Sequence, residues 1–295
     1  MLIGEDPSDI GRLWTRLCWA GASAGRSGLA LQAIGAFDVA LYDLKARRAG
    51  LSLAKLLGSY RGSVACYNTS GGFLHTPLDQ LLVNATASRE RGIGGIKLKV
   101  GQPDRQRDIQ RVQAVRQHLG DDFPLMVDAN QQWDRPTAQR MCRTLEAFNL
   151  VWIEEPLDAH DFEGHAALAV QFDTPIATGE MLTSAQEHGE LIRQRAADYL
   201  MPDAPRVGGI TPFLKIAAQA EQAGLMLAPH FAQRSHDAAG PVPRARGAAP
   251  GLARVSPSSC GQLGASRQVG ATAPAGDGRG LRGEFQRRAK FAASE

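Results

Sequence analysis

The 295-residue sequence lacks the marks of several common protein classes. Its four cysteines, Cys18, Cys66, Cys142 and Cys260, have no CxxC or other close spacing, which argues against a zinc or thiol-redox site. No apolar run is long enough to cross a membrane, and the first residues do not form a secretion signal. These absences predict a cytoplasmic protein that keeps its cysteines reduced and does not bind a membrane.

Signatures of nucleotide and nucleic-acid binding are missing as well. No GxGxxG or GxxxxGK(S/T) segment follows any apolar run, so the usual phosphate-binding loops are absent. The formal net charge is +3, but residues 239–295 hold a surplus of six positive charges, which leaves a deficit of three for residues 1–238. Because residues 1–238 are slightly acidic, there is no reason to expect that they bind nucleic acid, and a cation is the more suitable partner.

Short apolar runs alternate with helix-like stretches along most of the chain. The seven runs cover residues 63–68, 95–100, 124–130, 150–156, 174–180, 198–203 and 225–230. The stretches between them space apolar residues at the 3.6-residue period of a helix. Continuous apolar strands joined by helices predict a parallel sheet that is buried on both faces. The two architectures of this kind are the open doubly wound sheet and the closed eight-stranded barrel.

Reactive side chains at the ends of six runs favour the barrel. These residues are Lys99, Asp128, Glu154, Glu180, Asp203 and His230. A doubly wound sheet places its ligand at one switch point, whereas a barrel gathers side chains from the carboxyl ends of most strands. We therefore predict an α/β fold with a (β/α) TIM-type barrel over residues 63–233, incomplete because only seven strands are recognisable.

The chain outside this barrel has a different character at each end. Residues 1–62 are typical of helices and predict the helical part of a capping domain. Residues 234–295 are rich in Ala, Gly, Arg, Pro and Ser without periodicity, so they cannot bury enough apolar area to offset the entropy of ordering. We expect a disordered tail or, preferably, the product of a shifted reading frame. A nucleic-acid-binding tail is disfavoured, because its aromatic residues are few.

Three carboxylates are predicted to form a metal site. Asp128, Glu154 and Glu180 end three successive strands, so their side chains should converge, and three like charges there repel unless a cation is present. Any one of them could be a helix cap or a surface acid, but that explanation is poor for all three. Oxygen ligands on rigid strands suit Mg²⁺ better than zinc. Glu155 should face the other way and support the site.

Two further groups are predicted to transfer protons. Lys97 and Lys99 are two positions apart on a strand, so their side chains share a face. Repulsion between the two ammonium groups, together with their desolvation, would let Lys99 act as a base. The alternative is two solvated lysines on an edge strand. Asp203 beside His230 would orient the imidazole as a general acid or base. Such groups on opposite sides of a metal suit removal of a proton α to a carboxylate, with epimerisation or dehydration as the outcome.

The motifs that carry these groups resemble the enolase superfamily, in particular its mandelate racemase-like subgroup. They are KLK at 97–99, DAN at 128–130, IEEP at 153–156, GE at 179–180, and the later Asp203 and His230. The resemblance implies Mg²⁺ as the cofactor, held by the three carboxylates, and an acid–base pair of Lys99 and His230. It also implies that Lys97 and Asn130 lie against the substrate carboxylate.

The function implied by the resemblance is an acid-sugar dehydratase that converts an aldarate to a keto-deoxy product and assembles as a homo-oligomer. Members of the family begin with cap strands and end with an eighth barrel strand and a cap-closing segment, none of which is recognisable here. We therefore expect a chain that is truncated at its start, departs from the family after about residue 233, and is poorly stable or inactive. Another acid-sugar dehydratase, a racemase, and a noncatalytic Mg²⁺-binding partner of an intact homologue are the alternatives.

Overall fold

The computed structural model describes residues 2–60, 63–69, 71–230 and 253–255. The helices are α1 (Ile10–Ala20), α2 (Gly28–Arg48), α3 (Leu53–Leu56), α4 (Leu78–Glu90), α5 (Arg105–Leu119), α6 (Arg135–Leu145), α7 (Phe162–Gln171), α8 (Ala185–Arg193) and α9 (Ile210–Gln222). The strands are β1 (Cys66–Asn68), β2 (Ile96–Lys99), β3 (Leu125–Asp128), β4 (Ile153–Glu154), β5 (Ile176–Thr178), β6 (Tyr199–Leu200), β7 (Met226–Leu227) and β8 (Ala253–Val255). Short 3-10 turns cover Ala22–Ala24 and Glu146–Phe148.

All the described strands belong to one parallel sheet, in the order β7-β6-β5-β4-β3-β2-β1-β8. Each of the seven predicted runs contains a strand, and the helices lie between them, which confirms the α/β barrel-type architecture. The eighth strand is new: Cys66 pairs with Ala253 and Asn68 with Val255. Apart from this strand, the predicted tail at 234–295 lies outside the described residues.

The chain divides into a unit of residues 1–259 and a second unit, 260–295, that lies outside the described residues. The domain boundaries expected after residues 62 and 233 therefore stay predictions. No helix in the described part of the chain combines the length and the apolar character needed to cross a membrane.

Helix caps hold the turns that follow the strands. The side chains of Asp104, Asp134 and Asp161 accept hydrogen bonds from backbone N–H groups at the starts of α5, α6 and α7. At α8 the Ser184 hydroxyl accepts from the Glu187 N–H, and the Glu187 carboxylate accepts from the Ser184 hydroxyl and the Thr183 N–H, an arrangement related to a capping box. These caps fix the short connections at the end of the sheet where the reactive residues lie.

An apolar layer inside the sheet lies directly beneath those residues. It consists of Tyr67, Met126, Trp152, Ala177, Tyr199, Met201 and Ala228. Because side chains alternate along a strand, a residue two positions further on points to the same face. Met126 is followed in this way by Asp128, Trp152 by Glu154, and Ala228 by His230. The interior layer is therefore the floor of the site.

Helices α1 and α2 are hydrogen-bonded to the loop that follows β6 and to the first turn of α9. The buried Asp38 carboxylate accepts hydrogen bonds from the Thr211 N–H (2.9 Å) and hydroxyl (2.6 Å), and burial raises the pKa of Asp38. The Trp14 indole donates to the Gly208 carbonyl at 2.9 Å. Gly209 has φ +107°, and a Cβ there would overlap the Asp38 carboxylate, so this contact requires glycine.

Replacing Asp38 by Asn should lower the free energy of unfolding by about 1–3 kcal/mol, because the new amide group would face the Thr211 donors. Urea denaturation monitored by circular dichroism measures the change. The control is Asp43→Asn on the same helix, where the carboxylate is exposed and pairs with Arg47, and a change within about 0.5 kcal/mol is expected. Equal stability of the two variants would contradict this account of Asp38.

Candidate metal and acid–base site

Three carboxylates meet at the carboxyl ends of β3, β4 and β5. Asp128, Glu154 and Glu180, the carboxylate triad, each place an oxygen within 4.8 Å of the other two. Their exposed fractions are 0%, 1% and 5%, so water cannot screen their mutual repulsion. The structure thus shows the convergence that the strand spacing predicted.

Both lysines of the KLK segment lie against this triad. The Lys97 side chain is fully buried, and its Nζ contacts Asp128 Oδ2 at 2.8 Å and also Glu154. Lys99 Nζ contacts the same Asp128 oxygen, but its side chain is 14% exposed and stands nearer the mouth of the site. The alternative of two solvated lysines is therefore wrong.

The triad does not hold its negative charge evenly. Burial acts to raise the pKa of Asp128, but the positive charges of Lys97 and Lys99 outweigh it and hold this pKa below its usual range. Burial raises the pKa of Glu154 well above its usual range, the charge of Asp128 adds to the effect, and Lys97 opposes it without cancelling the rise. The protein's own cations therefore neutralise only part of the triad.

The triad fits a divalent cation with oxygen ligands. Glu180 Oε2 is buried and has no hydrogen-bond partner among the described residues, so one acceptor in the cluster is left for another ligand. Rigid strands supply three carboxylates and no sulfur, which is a donor set for Mg²⁺ rather than zinc. Asp128, Glu154 and Glu180 would hold the ion.

An aspartate–histidine pair stands at the other end of the triad. His230 Nδ1 lies 2.7 Å from Asp203 Oδ2, and an isolated parallel bridge joins the two residues beyond the paired parts of β6 and β7. His230 Nε2 lies 3.2 Å from Glu180 Oε2, near enough for an ion pair but without the alignment of a hydrogen bond. One ring nitrogen is thus fixed by Asp203, and the other faces the triad.

The backbone after β3 and β4 is held in an unusual conformation. Asn130, Gln131 and Glu155 have φ values of 43°, 63° and 41°, in the left-handed region that non-glycine residues seldom adopt. The Asn130 N–H donates to Asp128 Oδ1 at 2.9 Å, which fixes that carboxylate. Such conformations persist only where neighbouring contacts enforce them, and they cluster at functional sites.

Glu155 is fully buried beside this turn. Its Oε2 accepts a hydrogen bond from Gln131 Nε2 at 3.2 Å, and its backbone carbonyl accepts from the Gln131 N–H at 2.8 Å. Burial raises the pKa of Glu155 to about 8, and the charges of Glu180 and Asp128 add to this. Glu155 therefore couples the turn after β3 to the end of β4, while its supporting role stays a prediction.

Two residues at the site were not predicted from the sequence. The Trp152 indole donates to Glu154 Oε2 at 3.1 Å, and its position two residues before Glu154 was the available signal. The Arg206 guanidinium donates to the Glu180 carbonyl at 2.9 Å, while its backbone N–H donates to Asp203 Oδ1 at 2.9 Å. Arg206 lies in a loop, where no periodic pattern points to it.

The fold and site define a known class of protein. A family model described as enolase C-terminal domain-like matches residues 80–245, and a model described as the N-terminal domain of mandelate racemase / muconate lactonizing enzyme matches residues 1–58. The chain belongs to the mandelate racemase / muconate lactonizing enzyme family of the enolase superfamily. The family predicted from the motifs is confirmed.

Particular relatives within this family are highly similar to the chain. L-talarate/galactarate dehydratase of Salmonella typhimurium is 68% identical over 235 residues, which are 80% of this chain and 59% of that protein. The structure of L-talarate dehydratase from Polaromonas sp. JS666 complexed with Mg and L-glucarate is 85% identical, with a TM-score of 0.76, over 78% of this chain and 64% of that one. A racemase from Streptomyces coelicolor A3(2) with bound magnesium is 40% identical, with a TM-score of 0.75, over 78% and 64%. The chain therefore spans less than two thirds of the length of these relatives.

Proposed function

We propose that this chain carries the metal-binding and acid–base groups of a Mg²⁺-dependent acid-sugar dehydratase for L-talarate and galactarate. One observation carries the proposal. Lys99 contacts Asp128 at one end of the triad, and the Asp203-bound His230 lies 3.2 Å from Glu180 at the other. Two proton-transfer groups thus stand on opposite sides of a cation site. Two highly similar relatives are named as dehydratases of L-talarate, and the name of one of them also includes galactarate.

The reaction needs one proton removed and one supplied. One member of the Lys99–His230 pair takes the proton α to the substrate carboxylate, and the C–H electron pair enters that carboxylate. The other member protonates the β-hydroxyl, whose C–O bond breaks to release water as the carbon–carbon double bond forms. The enol product then tautomerises to a keto-deoxy aldarate. A bound Mg²⁺ would supply positive charge beside the carboxylate that becomes more negative.

The remaining polar groups position the reacting ones. Asp203 holds the Nδ1–H of His230, so Nε2 is free to exchange a proton with the substrate. We assign Lys97 and Asn130 to the substrate carboxylate, because Lys97 already contacts two members of the triad and Asn130 is half-buried at the end of β3. A cytoplasmic location and assembly as a homo-oligomer complete the proposal, and size-exclusion chromatography with light scattering tests the assembly.

The direct test is an assay of the purified full chain. Keto-acid formation from galactarate and L-talarate should require Mg²⁺ and stop on chelation. Turnover together with cooperative unfolding would overturn the expectation that the chain is inactive. Mg²⁺ binding without turnover would instead identify a noncatalytic remnant, whereas absence of Mg²⁺ binding would exclude the proposed metal site.

Racemisation is the second candidate, because groups on both sides of a substrate can remove and return a proton on opposite faces. The similarity of this chain to a racemase with bound magnesium supports this second candidate. Incubating a panel of aldarates and aldonates in D₂O distinguishes the two reactions. Deuterium at the α-carbon without loss of water indicates racemisation, whereas keto-acid formation indicates dehydration.

Replacing Lys99 by Met should lower turnover by about 10²- to 10⁴-fold, because a methionine fills similar space but cannot transfer a proton. Mg²⁺ affinity, measured by calorimetry, should change little, since Lys99 is not one of the three carboxylate ligands. The control is Lys55→Met at an exposed position of α3, which should keep full turnover. Undiminished turnover in the Lys99 variant would exclude it from the acid–base pair.

A further inference from the structure

A tryptophan lies directly beneath the carboxylate triad. Trp152 is fully buried, and its indole Nε1 donates a hydrogen bond to Glu154 Oε2 at 3.1 Å. The two residues are two positions apart at β4, so both side chains point into the interior of the sheet. The indole therefore approaches Glu154 from the floor of the site, opposite the mouth.

The indole ring is held in place by other aromatic rings. The Tyr67 ring packs edge-on at a centroid distance of 5.3 Å and an angle of 82°. The Tyr199 ring is a second neighbour, with its centroid 4.9 Å away and its plane tilted by 41°. Met126 and Ala177 belong to the same buried layer. Because the indole is fully buried against two other rings, its rotation is restricted and its N–H keeps one direction.

A fixed donor restrains a flexible ligand. A glutamate has three rotatable side-chain bonds, and a hydrogen bond to one oxygen limits where the carboxylate can point. Lys97 also contacts Glu154, but its ammonium adds a positive charge that opposes a bound cation. The indole N–H is neutral, so it can orient the same carboxylate without that electrostatic cost. Groups of this kind around metal ligands commonly change metal affinity by about 10- to 100-fold.

We propose that Trp152 is a positioning residue for the metal ligand Glu154: the packed indole holds the carboxylate toward the triad by a neutral hydrogen bond. The inference rests on the proposed function, because it takes Glu154 as a ligand of Mg²⁺. Its consequence is that loss of the N–H alone, with an aromatic ring retained, should weaken the binding of the ion.

The chain offers a matched control for this substitution. Trp133 is also buried, but it packs in the layer between the sheet and the helices, and its Nε1 has no hydrogen-bond partner among the described residues. Trp152→Phe and Trp133→Phe therefore make the same chemical change in the interior. Only the first removes a bond to a ligand.

The test is the Mg²⁺ dissociation constant of the full chain by isothermal titration calorimetry. We expect Trp152→Phe to raise it about 10- to 100-fold and Trp133→Phe to change it less than about threefold. Saturating Mg²⁺ should restore any turnover that Trp152→Phe loses at low Mg²⁺. An unchanged dissociation constant in Trp152→Phe, or an equal change in both variants, would overturn the proposal. A wild-type chain that binds no Mg²⁺ would instead overturn the proposed function, and this inference with it.

Tryptophan fluorescence gives a second measurement that does not need the Trp152 variant to fold. Mg²⁺ binding should change the emission of the Trp133→Phe chain, because Trp152 remains bonded to a ligand. If calorimetry shows Mg²⁺ binding in Trp133→Phe while its emission stays constant, Trp152 does not contact the ligand set in the way proposed.

Discussion

Replacing Glu180 by Gln is expected to raise the Mg²⁺ dissociation constant at least 100-fold and to abolish Mg²⁺-dependent turnover. Gln keeps the size of the side chain but removes a negative charge from a buried three-carboxylate site. It also offers an amide group where Glu180 Oε2 lacks a hydrogen-bond partner among the described residues. A 100-fold loss corresponds to about 2.7 kcal/mol of binding free energy, a moderate amount for one charged ligand in a buried site.

Calorimetry measures the affinity, and thermal unfolding provides an independent check. Mg²⁺ at 100 times its dissociation constant should stabilise the wild-type chain by about 2.7 kcal/mol, because the ion binds the folded state only. The Glu180 variant should gain almost nothing under the same conditions. EDTA should remove the stabilisation from the wild type and leave the variant unchanged.

Glu187→Gln is the matched control for this experiment. Glu187 lies seven residues further on, where its carboxylate accepts hydrogen bonds from Thr183 and Ser184 at the start of α8. Its replacement should cost stability of about 1 kcal/mol, as expected for a helix cap, without changing Mg²⁺ affinity. Wild-type Mg²⁺ binding in the Glu180 variant would remove Glu180 from the ligand set.

The predictable part of the site follows from one rule of strand geometry. Residues two apart on a strand share a face, and this rule predicts that Lys97 and Lys99 lie together in the interior. It applies equally to Trp152 and Glu154. A tryptophan within an apolar run, however, looks like ordinary packing, so its hydrogen bond becomes visible only when the ring orientation is known.

Contacts between distant parts of the chain could not be predicted in this way. Asp38 and Thr211 are separated by 173 positions, and no local pattern selects Thr211 as the partner of a helical aspartate. The left-handed conformations of Asn130 and Glu155 are enforced by tertiary contacts, since neither residue is a glycine. Strand β8 has three residues, too few to show a period against its Ala- and Gly-rich surroundings.

Asp203→Asn should lower the rate of α-proton transfer by about 10²- to 10⁴-fold, the range seen when a carboxylate that orients a catalytic imidazole is removed. The Asn carbonyl can still accept from the Arg206 N–H as Asp203 Oδ1 does. Its NH₂ group would then face His230 Nδ1, which lies 2.7 Å from Asp203 Oδ2. A donor there favours the tautomer with its proton on Nε2, so Nε2 can no longer accept one.

The readout is the rate of deuterium exchange or keto-acid formation at saturating Mg²⁺, measured across a range of pH. The Asp203 variant should lose rate at every pH, because the tautomer that the Asn side chain favours keeps its proton on Nε2. Asp198→Asn is the matched control. Asp198 is a partly buried carboxylate just before β6, at the opposite end of the strand, where it accepts a hydrogen bond from the Ile176 N–H at 2.8 Å. Residues at that end of a barrel strand affect stability rather than chemistry, so the control should unfold more easily and keep its rate and pH profile. Matching rates and profiles in both variants would show that His230 does not depend on Asp203.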